Sequence, residues 1–127
     1  MMKKVITTHN APESIGTYSQ AVQHGGLLYI SGQIPLVSAT MELIGPDIEQ
    51  QIKQVFDNLS AIAAAAGTTL NETVKFTVYL TNLGHFSIVN EVMAQRLMQP
   101  YPARVALEVS ALPRSALVEI DAIVAVT

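Results

Sequence analysis

One amphipathic helix near the middle of the chain, with strand patterns on both sides of it, constrains the fold most. Apolar residues recur at steps of three and four between Pro46 and Ala66, so this segment is predicted to be a helix with one apolar face. The residues on that face are Ile48, Ile52, Val55, Phe56, Leu59, Ile62 and Ala63. Pro46 in the first turn and Gly67 just past the end are typical of helix boundaries. Such a helix requires an apolar surface to pack against.

The rest of the chain provides that surface as strands, interrupted by one further helix. Gly25-Gly26 is a hairpin signal, and Asn82 is a candidate cap for the second helix. The predicted elements are strands at Lys3–Thr7, Ser19–His24, Leu27–Ser31, Val74–Leu80, Arg104–Val109 and Leu117–Val126, and a helix over Leu83–Met98. The order β-β-β-α-β-α-β-β predicts one α+β domain over residues 1–127, an open sheet with both helices on one face.

The surface of this domain has few charges to solvate it. Half of the 127 residues are hydrophobic and 13% are charged, about half of the usual charged share of roughly 25%. Because such a surface is poorly covered as a monomer, we expect a homo-oligomer. The sheet face that carries no helix is the expected contact between copies.

Composition also excludes several classes of function. There is no cysteine, so disulfides, thiolate nucleophiles and cysteine metal sites are absent. His9, His24 and His85 lack ligand spacing, and no phosphate loop is present, so neither a metal nor a cofactor is expected. A net charge of −3 argues against a nucleic-acid partner. With no signal-peptide core or membrane span in the sequence, we expect a cytoplasmic protein that does not bind membranes.

Two charges in apolar strands are the leading functional candidates. Arg104 and Glu119 lie in stretches that are otherwise almost entirely apolar. A buried guanidinium requires a partner, and its planar fork suits a carboxylate. If that carboxylate belongs to Glu108, Glu119 or Asp121, the arginine is structural. If it belongs to a ligand, Glu119 is available for acid–base chemistry.

The spacing of the last two strands limits where these two residues meet. In a simple hairpin between them Arg104 would pair near Ile123, four residues from Glu119, or about 13 Å along the strand. That distance is too long for one small ligand. Either the strands are not neighbours, or the site joins two subunits.

Other candidates have a functional and an ordinary interpretation. Gly32, after Ser31, would let a ligand approach the backbone, but a bulge glycine is the commoner reason for this pattern. Tyr18 is a candidate for either ligand contact or packing. Asn90 lies mid-helix, where its propensity is poor, and either orients a loop or faces water.

Taken together, five stretches resemble one family over nearly the whole chain. The Pro-Ala-Arg and Val-Glu-Ile-Asp-Ala segments are specific at this separation. The stretches are Gly16-Thr17-Tyr18-Ser19-Gln20-Ala21-Val22, Leu28-Tyr29-Ile30-Ser31-Gly32-Gln33-Ile34-Pro35, Val89-Asn90-Glu91-Val92, Pro102-Ala103-Arg104 and Val118-Glu119-Ile120-Asp121-Ala122-Ile123. They resemble the RidA/YjgF family of enamine/imine deaminases.

The resemblance implies a chorismate-mutase-like α+β fold, with a mixed sheet and two helices on one face, in a homotrimer with clefts between subunits. It also implies hydrolysis of reactive 2-imino acids, released by pyridoxal-phosphate enzymes, to 2-oxo acids and ammonia. Arg104 would bind the substrate carboxylate and Glu119 would position the water. The residues completing the pocket would be Tyr18, Ser31, Gly32, Asn90 and the backbone at Ala106.

The sequence departs from the family at several of these places. Thr17 replaces a frequent proline, and Ala106 replaces a frequent cysteine, so a role for residue 106 must use its backbone. The second helix differs where the family tends to have aromatic residues and a glycine, at Met93, Arg96, Leu97 and Met98. These departures affect substrate preference more than the chemistry.

Two other functions remain as alternatives from the sequence. The same arginine pocket would serve a module that binds or senses 2-oxo acids without turnover. The second alternative is RNA cleavage or inhibition of translation, which is known among relatives. The acidic composition argues against it.

Overall fold

A six-stranded sheet forms the centre of the molecule. The computed structural model describes residues 2–127. The strands are β1 Lys4–Ile6, β2 Ala21–His24, β3 Leu27–Gln33, β4 Leu36–Val37, β5 Glu42–Leu43, β6 Thr73–Leu80, β7 Ala103–Glu108 and β8 Val118–Ala125. The main sheet has the order β1-β2-β3-β8-β6-β7, and β4 pairs with β5 as a separate hairpin. The sheet is mixed, because β6 and β7 are parallel while the other neighbours are antiparallel.

Two helices cover one face of this sheet, as predicted. Helix α1 spans Ile48–Ala65 and α2 spans Phe86–Arg96. The N-cap of α1 is Asp47, whose side chain accepts a hydrogen bond from the backbone N–H of Gln50 at 2.9 Å. Gly67, just past the helix end, has the φ of +81° that glycine adopts without strain. Neither helix in the described part of the chain is long and apolar enough to cross a membrane.

The core lies between the helices and the sheet. The apolar face of α1 packs against β3, β8 and α2, and Phe56 meets Phe76 of β6 edge to face with ring centroids 5.6 Å apart. Along β8 buried and half-buried residues alternate strictly. Glu119 and Asp121 therefore lie on the sheet face that carries no helix.

That uncovered face carries exposed apolar side chains, as expected from the sequence, beside the polar residues Lys75, Glu119 and Asp121. Its exposed members include Tyr29 of β3 and Val105 and Leu107 of β7. Ile123 and Ala125 continue the same face along β8 and are half-buried.

The second helix differs from its prediction at both ends. Leu83–His85 is a 3-10 turn, in which the Asn82 side chain accepts a hydrogen bond from Gly84 N–H at 2.8 Å. The α-helix ends at Arg96, because Leu97 is extended and buried in the core. The turn-rich stretch after β3 also contains the two-residue strands β4 and β5, which are too short to give a periodic sequence signal.

The last two strands are not neighbours. Strand β6 lies between β7 and β8, so the first of the two alternatives left open by the sequence, that these strands are not neighbours, is confirmed. The chain leaves β6, crosses through α2 and returns as β7 parallel to β6, which requires a long connection. β8 is then paired on both edges, by β3 and by β6.

A buried glutamine holds the segment between β1 and β2 in place by hydrogen bonds. The Gln20 side-chain N–H₂ donates to the carbonyl oxygens of Thr8 at 3.0 Å, Pro12 at 2.8 Å and Ala11 at 3.3 Å. Its oxygen accepts from Thr8 N–H at 2.7 Å. These bonds hold in place the loop that leads to Tyr18.

Replacing Gln20 by methionine should destabilise the protein. The substitution keeps the volume but leaves buried carbonyls without donors, so we expect a loss of about 1–3 kcal/mol in the free energy of unfolding. Urea denaturation measures it, with the exposed Gln95→Met as the matched control. Equal stability of the two variants would show that the glutamine network does not hold this loop.

Candidate active site

Arg104 projects from the edge strand β7 toward helix α2. It pairs in register with Phe76, a buried core residue, so its side chain is on the helix face of the sheet. The guanidinium carbon lies 4.7 Å from the centroid of the Phe86 ring. Nη1 donates a short hydrogen bond to Asn90 Oδ1 and lies 3.5 Å from the sulfur of Met93.

The three residues that hold Arg104 form one stripe of α2. Phe86, Asn90 and Met93 are spaced at i, i+4 and i+7, which places them on the same side of a helix. Asn90 therefore orients the Arg104 guanidinium, which accounts for a polar residue in mid-helix. The guanidinium opens onto a cavity of about 400 Å³, which is lined by Asn90, Met93, Ala94, Tyr101, Pro102 and Arg104.

No carboxylate pairs with Arg104 within residues 2–127. Glu108 instead accepts a hydrogen bond from Leu83 N–H at 2.9 Å. Asp121 accepts one from the Tyr79 hydroxyl at 2.9 Å. The structural ion pair that the sequence left open is therefore not formed within the chain, and the Arg104 fork is left for another acceptor.

Glu119 lies at a second cavity, of about 360 Å³. Tyr18 and Gly32 line it with Glu119, together with residues from several loops. The further lining residues are Pro12, Glu13, Ile15, Gln20, Gln33, Ile34, Leu36, Pro113 and Arg114. The structure thus brings together three of the residues selected from the sequence.

The glycine at position 32 leaves room for the Glu119 side chain. A Cβ added to Gly32 would lie 2.9 Å from Glu119 Cδ, with Oε2 closer still. The register between β3 and β8 shifts between Ile30 and Gln33, so the ordinary interpretation of this glycine as part of a bulge is correct. The bulge also allows the Glu119 carboxylate to lie against the backbone.

Ser31 and Tyr18 are oriented by local hydrogen bonds. The Ser31 hydroxyl donates to the Ser19 carbonyl at 2.6 Å, which leaves its oxygen lone pairs to accept from a ligand. The Tyr18 hydroxyl accepts from Ile15 N–H at 3.1 Å, so its own O–H remains a donor. Half of the Tyr18 side chain is exposed.

The environment of Glu119 shifts its carboxyl toward the protonated form relative to an exposed glutamate. Burial raises the pKa of the Glu119 carboxyl above its usual value of 4.5, and the negative charge of Asp121 raises it further. Burial and the hydrogen bond to Asp121 likewise raise the pKa of Tyr79. A carboxyl poised in this way is suited to general acid–base work.

Arg104 and Glu119 lie on opposite faces of the sheet. Through Phe76, Arg104 is in register with Ala122, three residues from Glu119. The two positions are separated by about 10 Å along the strands and about 10 Å across them. One small ligand within a single chain does not reach both.

Ala106 lies on the Arg104 side. It pairs with Val78 and is half-buried on the helix face. Its strand β7 is at the sheet edge, so backbone groups on the outer side of β7 are not used in the sheet.

Several lining residues were not selected as site residues from the sequence. Phe86 was not singled out as a site residue, and Met93 was named as a departure from the family; their spacing from Asn90 was the signal that would have identified them. Pro113 and Arg114 lie in a loop, where residue spacing gives no direction. In the part of the chain that the structure describes, no group of three or more His, Cys, Asp or Glu is placed to hold a metal ion.

Comparison with known proteins gives matches along nearly the whole chain. The sequence profile of the endoribonuclease L-PSP family matches residues 8–126. A RutC family protein of Pyrococcus horikoshii is 50% identical, covering 96% of this chain and 97% of its own. The 2-iminobutanoate/2-iminopropanoate deaminase of Mus musculus is 43% identical, covering 97% of this chain and 91% of its own.

A solved structure shows the same architecture. The crystal structure of YyfA from Yersinia pestis, a Rid family protein of unknown function, superimposes with a TM-score of 0.96 at 48% identity. The match covers 98% of this chain and all of that one. The chain therefore belongs to the endoribonuclease L-PSP family, the family of the RutC and RidA/YjgF proteins.

Proposed function

We propose that this protein is a hydrolytic deaminase that converts 2-imino acids to 2-oxo acids and ammonia. The observation that carries the proposal is the Arg104 guanidinium, which is held by three side chains of α2, has no carboxylate partner in the described residues and opens onto a cavity. A 2-imino acid supplies the missing carboxylate. Relatives named 2-iminobutanoate/2-iminopropanoate deaminase support the reaction class.

The active site is proposed to form between two copies of the chain in a homotrimer. Arg104 and Glu119 lie on opposite sheet faces, so a cyclic assembly is the arrangement that brings one copy's Arg104 to another copy's Glu119. The uncovered apolar sheet face provides a surface for such an assembly. A cytoplasmic location is part of the same proposal.

The chemistry requires little machinery. The substrate iminium carbon is already electrophilic, so no covalent nucleophile is needed. Glu119 accepts a proton from water as the water oxygen bonds to that carbon. The proton then passes to nitrogen, and the carbon–nitrogen bond breaks as Glu119 takes the remaining hydroxyl proton and the carbonyl forms. That proton passes to the released ammonia, so the products are a 2-oxo acid and ammonium. One positioned acid–base group contributes roughly 10²- to 10⁴-fold, and orientation of the carboxylate by Arg104 adds to it.

The remaining site residues orient the imine in this proposal. The Ser31 hydroxyl has lone pairs for the iminium N–H groups, because its proton is used by the Ser19 carbonyl. The bulge at Gly32 lets the substrate approach the backbone beside Glu119. Tyr18 donates its O–H, and the backbone of Ala106 acts next to Arg104 on the edge strand.

RNA cleavage, which the family description names, has less physical support in this chain. The net charge is −3, and the cavity around Glu119 is lined by two carboxylates and one cation. Phosphate backbones are bound through clustered Lys and Arg, with an affinity that falls steeply with salt. A salt-sensitive RNA affinity of the purified protein would favour that alternative.

An ammonia-release assay tests the proposal directly. 2-Iminobutanoate is generated in situ from an amino acid, and ammonia is measured with wild type and with Arg104→Ala. Acceleration by wild type and its loss in the variant are expected. Binding of 2-oxobutanoate without any acceleration would instead identify a sensing module.

Arg104 variants should lose affinity for carboxylate ligands. Arg104→Ala should weaken 2-oxobutanoate binding by roughly 1.5–3 kcal/mol, the range for charge-assisted hydrogen bonds. Arg104→Lys keeps the charge but loses the planar fork, so it should also bind less tightly. Titration calorimetry measures both, with Arg96→Ala as the control at a surface arginine paired with Asp57. Unchanged affinity in the alanine variant would remove Arg104 from the binding site.

Glu119→Gln should impair turnover more than binding or stability. The amide cannot accept the proton, so the rate should fall roughly ten- to several-hundred-fold, while affinity for 2-oxobutanoate holds or improves. Because the folded-state pKa of Glu119 is raised, its ionised form destabilises the folded protein. The variant should therefore melt at an equal or higher temperature at pH 7, and this gain should disappear as the pH falls below about 4.5.

The same pKa predicts the pH profile. The wild-type rate should decline as the pH falls through a value above 4.5. Asp121→Asn removes one of the two causes of the raised Glu119 pKa, so it should move this decline to lower pH. A loss of stability in Glu119→Gln with unchanged activity per folded protein would instead assign Glu119 a structural role.

Mixing two impaired variants tests the intersubunit site. Arg104→Ala and Glu119→Gln chains are co-refolded at equal amounts after light scattering has established that wild type is a trimer. If each site takes one residue from each of two neighbours, random mixing restores about a quarter of the sites. Separately refolded variants serve as the control. No recovery in mixed trimers would place both residues in the same chain's site, and a stable 13.7 kDa monomer would exclude the assembly.

A further inference from the structure

The backbone strain of the non-glycine residues gathers at one contact. Within residues 2–127 three of them have a positive φ: Met41 at 58°, Arg114 at 60° and Ser115 at 59°. This left-handed conformation is unfavourable for residues with a Cβ. The two loops that contain these residues are joined by a hydrogen bond of 2.9 Å from Arg114 Nη1 to the Met41 carbonyl oxygen. Strain of this kind is found more often at functional sites than elsewhere.

That contact borders the Glu119 cavity. Arg114 lines the cavity together with two carboxylates, Glu13 and Glu119, and no other Lys or Arg of the described residues does so. An anionic group that enters is repelled by the two acids and attracted by Arg114.

Most of the Arg114 guanidinium is available to a ligand. One N–H is used by the Met41 carbonyl, and no carboxylate of the described residues forms an ion pair with Arg114. The hydrogen bond fixes one side of the planar group, and the remaining N–H groups suit a carboxylate. A glycine at this position would adopt the same backbone without strain. A functional role at position 114 would therefore belong to the arginine side chain and not to the backbone conformation.

We propose that Arg114 is a specificity-determining residue that lets the site accept 2-imino acids with a second carboxylate at the end of the side chain. The inference rests on the function proposed above. With the first carboxylate on Arg104 of a second copy and the iminium carbon beside Glu119, the far end of the substrate extends into the cavity toward Arg114. In the competing role, Arg114 only joins the two loops by its hydrogen bond and contacts no ligand.

A matched pair of substrates separates these roles. 2-Iminoglutarate and 2-iminopentanoate have the same chain length and differ in a terminal carboxylate or methyl group, and both are generated in situ by an amino-acid oxidase with catalase. In Arg114→Met we expect kcat/KM for 2-iminoglutarate to fall about tenfold or more, mainly through KM. 2-Iminopentanoate should change less than about twofold. Lys53→Met, which removes the same charge from a surface residue of α1 paired with Glu49, should leave the ratio unchanged.

Other outcomes overturn the inference. An equal loss for both substrates would identify a loop tie, and no loss for either would remove Arg114 from the site. If wild type accelerates neither reaction, the proposed deamination fails. The role of Arg114 is then decided by calorimetric affinities for 2-oxoglutarate and 2-oxopentanoate. If Arg114 binds the second carboxylate, Arg114→Met must weaken binding of 2-oxoglutarate and leave binding of 2-oxopentanoate unchanged.

Discussion

The central strand β8 determines where the other parts of the molecule lie. It is hydrogen-bonded on both edges, so its register fixes β3 on one side and β6 on the other. Its alternate residues are buried under α1, and this burial specifies the register strongly, because a shift by one residue would move every apolar side chain to the wrong face. Glu119 takes its position from this requirement, since its neighbours Val118 and Ile120 are fully buried.

The electrostatics of the candidate site follow from the same constraint. Glu119 is set against the β3 bulge and half removed from water, with a second carboxylate two residues along the same face. Burial and like charge act in the same direction on its pKa. No arginine of the described residues pairs with Glu119 to oppose them. A carboxyl of raised pKa thus arises from the ordinary packing of an apolar strand.

Most of the architecture was predictable from the sequence, because periodicity carries it. The apolar steps of α1 and the alternation of β8 each match one geometry, and both were predicted with only small errors at the ends. The connection between β6 and β7 was not predictable in the same way. Sequence distance favours a hairpin of the last two strands, while the observed order depends on how α2 packs across the sheet, which is a property of the whole chain.

The candidate site was predictable in part for similar reasons. Arg104 and Glu119 are conspicuous as charges within apolar strands, and Gly32 as a glycine within one. The distribution of these residues over two cavities was not predictable, because it depends on the position of β6. Arg114 gave no signal, since its direction is set by loop dihedral angles that leave no pattern in the sequence.

The crossover through α2 has a consequence for how such a site changes over evolutionary time. The same helix that carries the chain from β6 to β7 also supplies Phe86, Asn90 and Met93 to Arg104. Different segments, the β3 bulge and the loop before β8, surround Glu119. Substitutions that change the surroundings of Arg104 therefore fall on one segment, and those that change the surroundings of Glu119 fall on others. A lineage is therefore able to alter the surroundings of one charged residue while retaining those of the other.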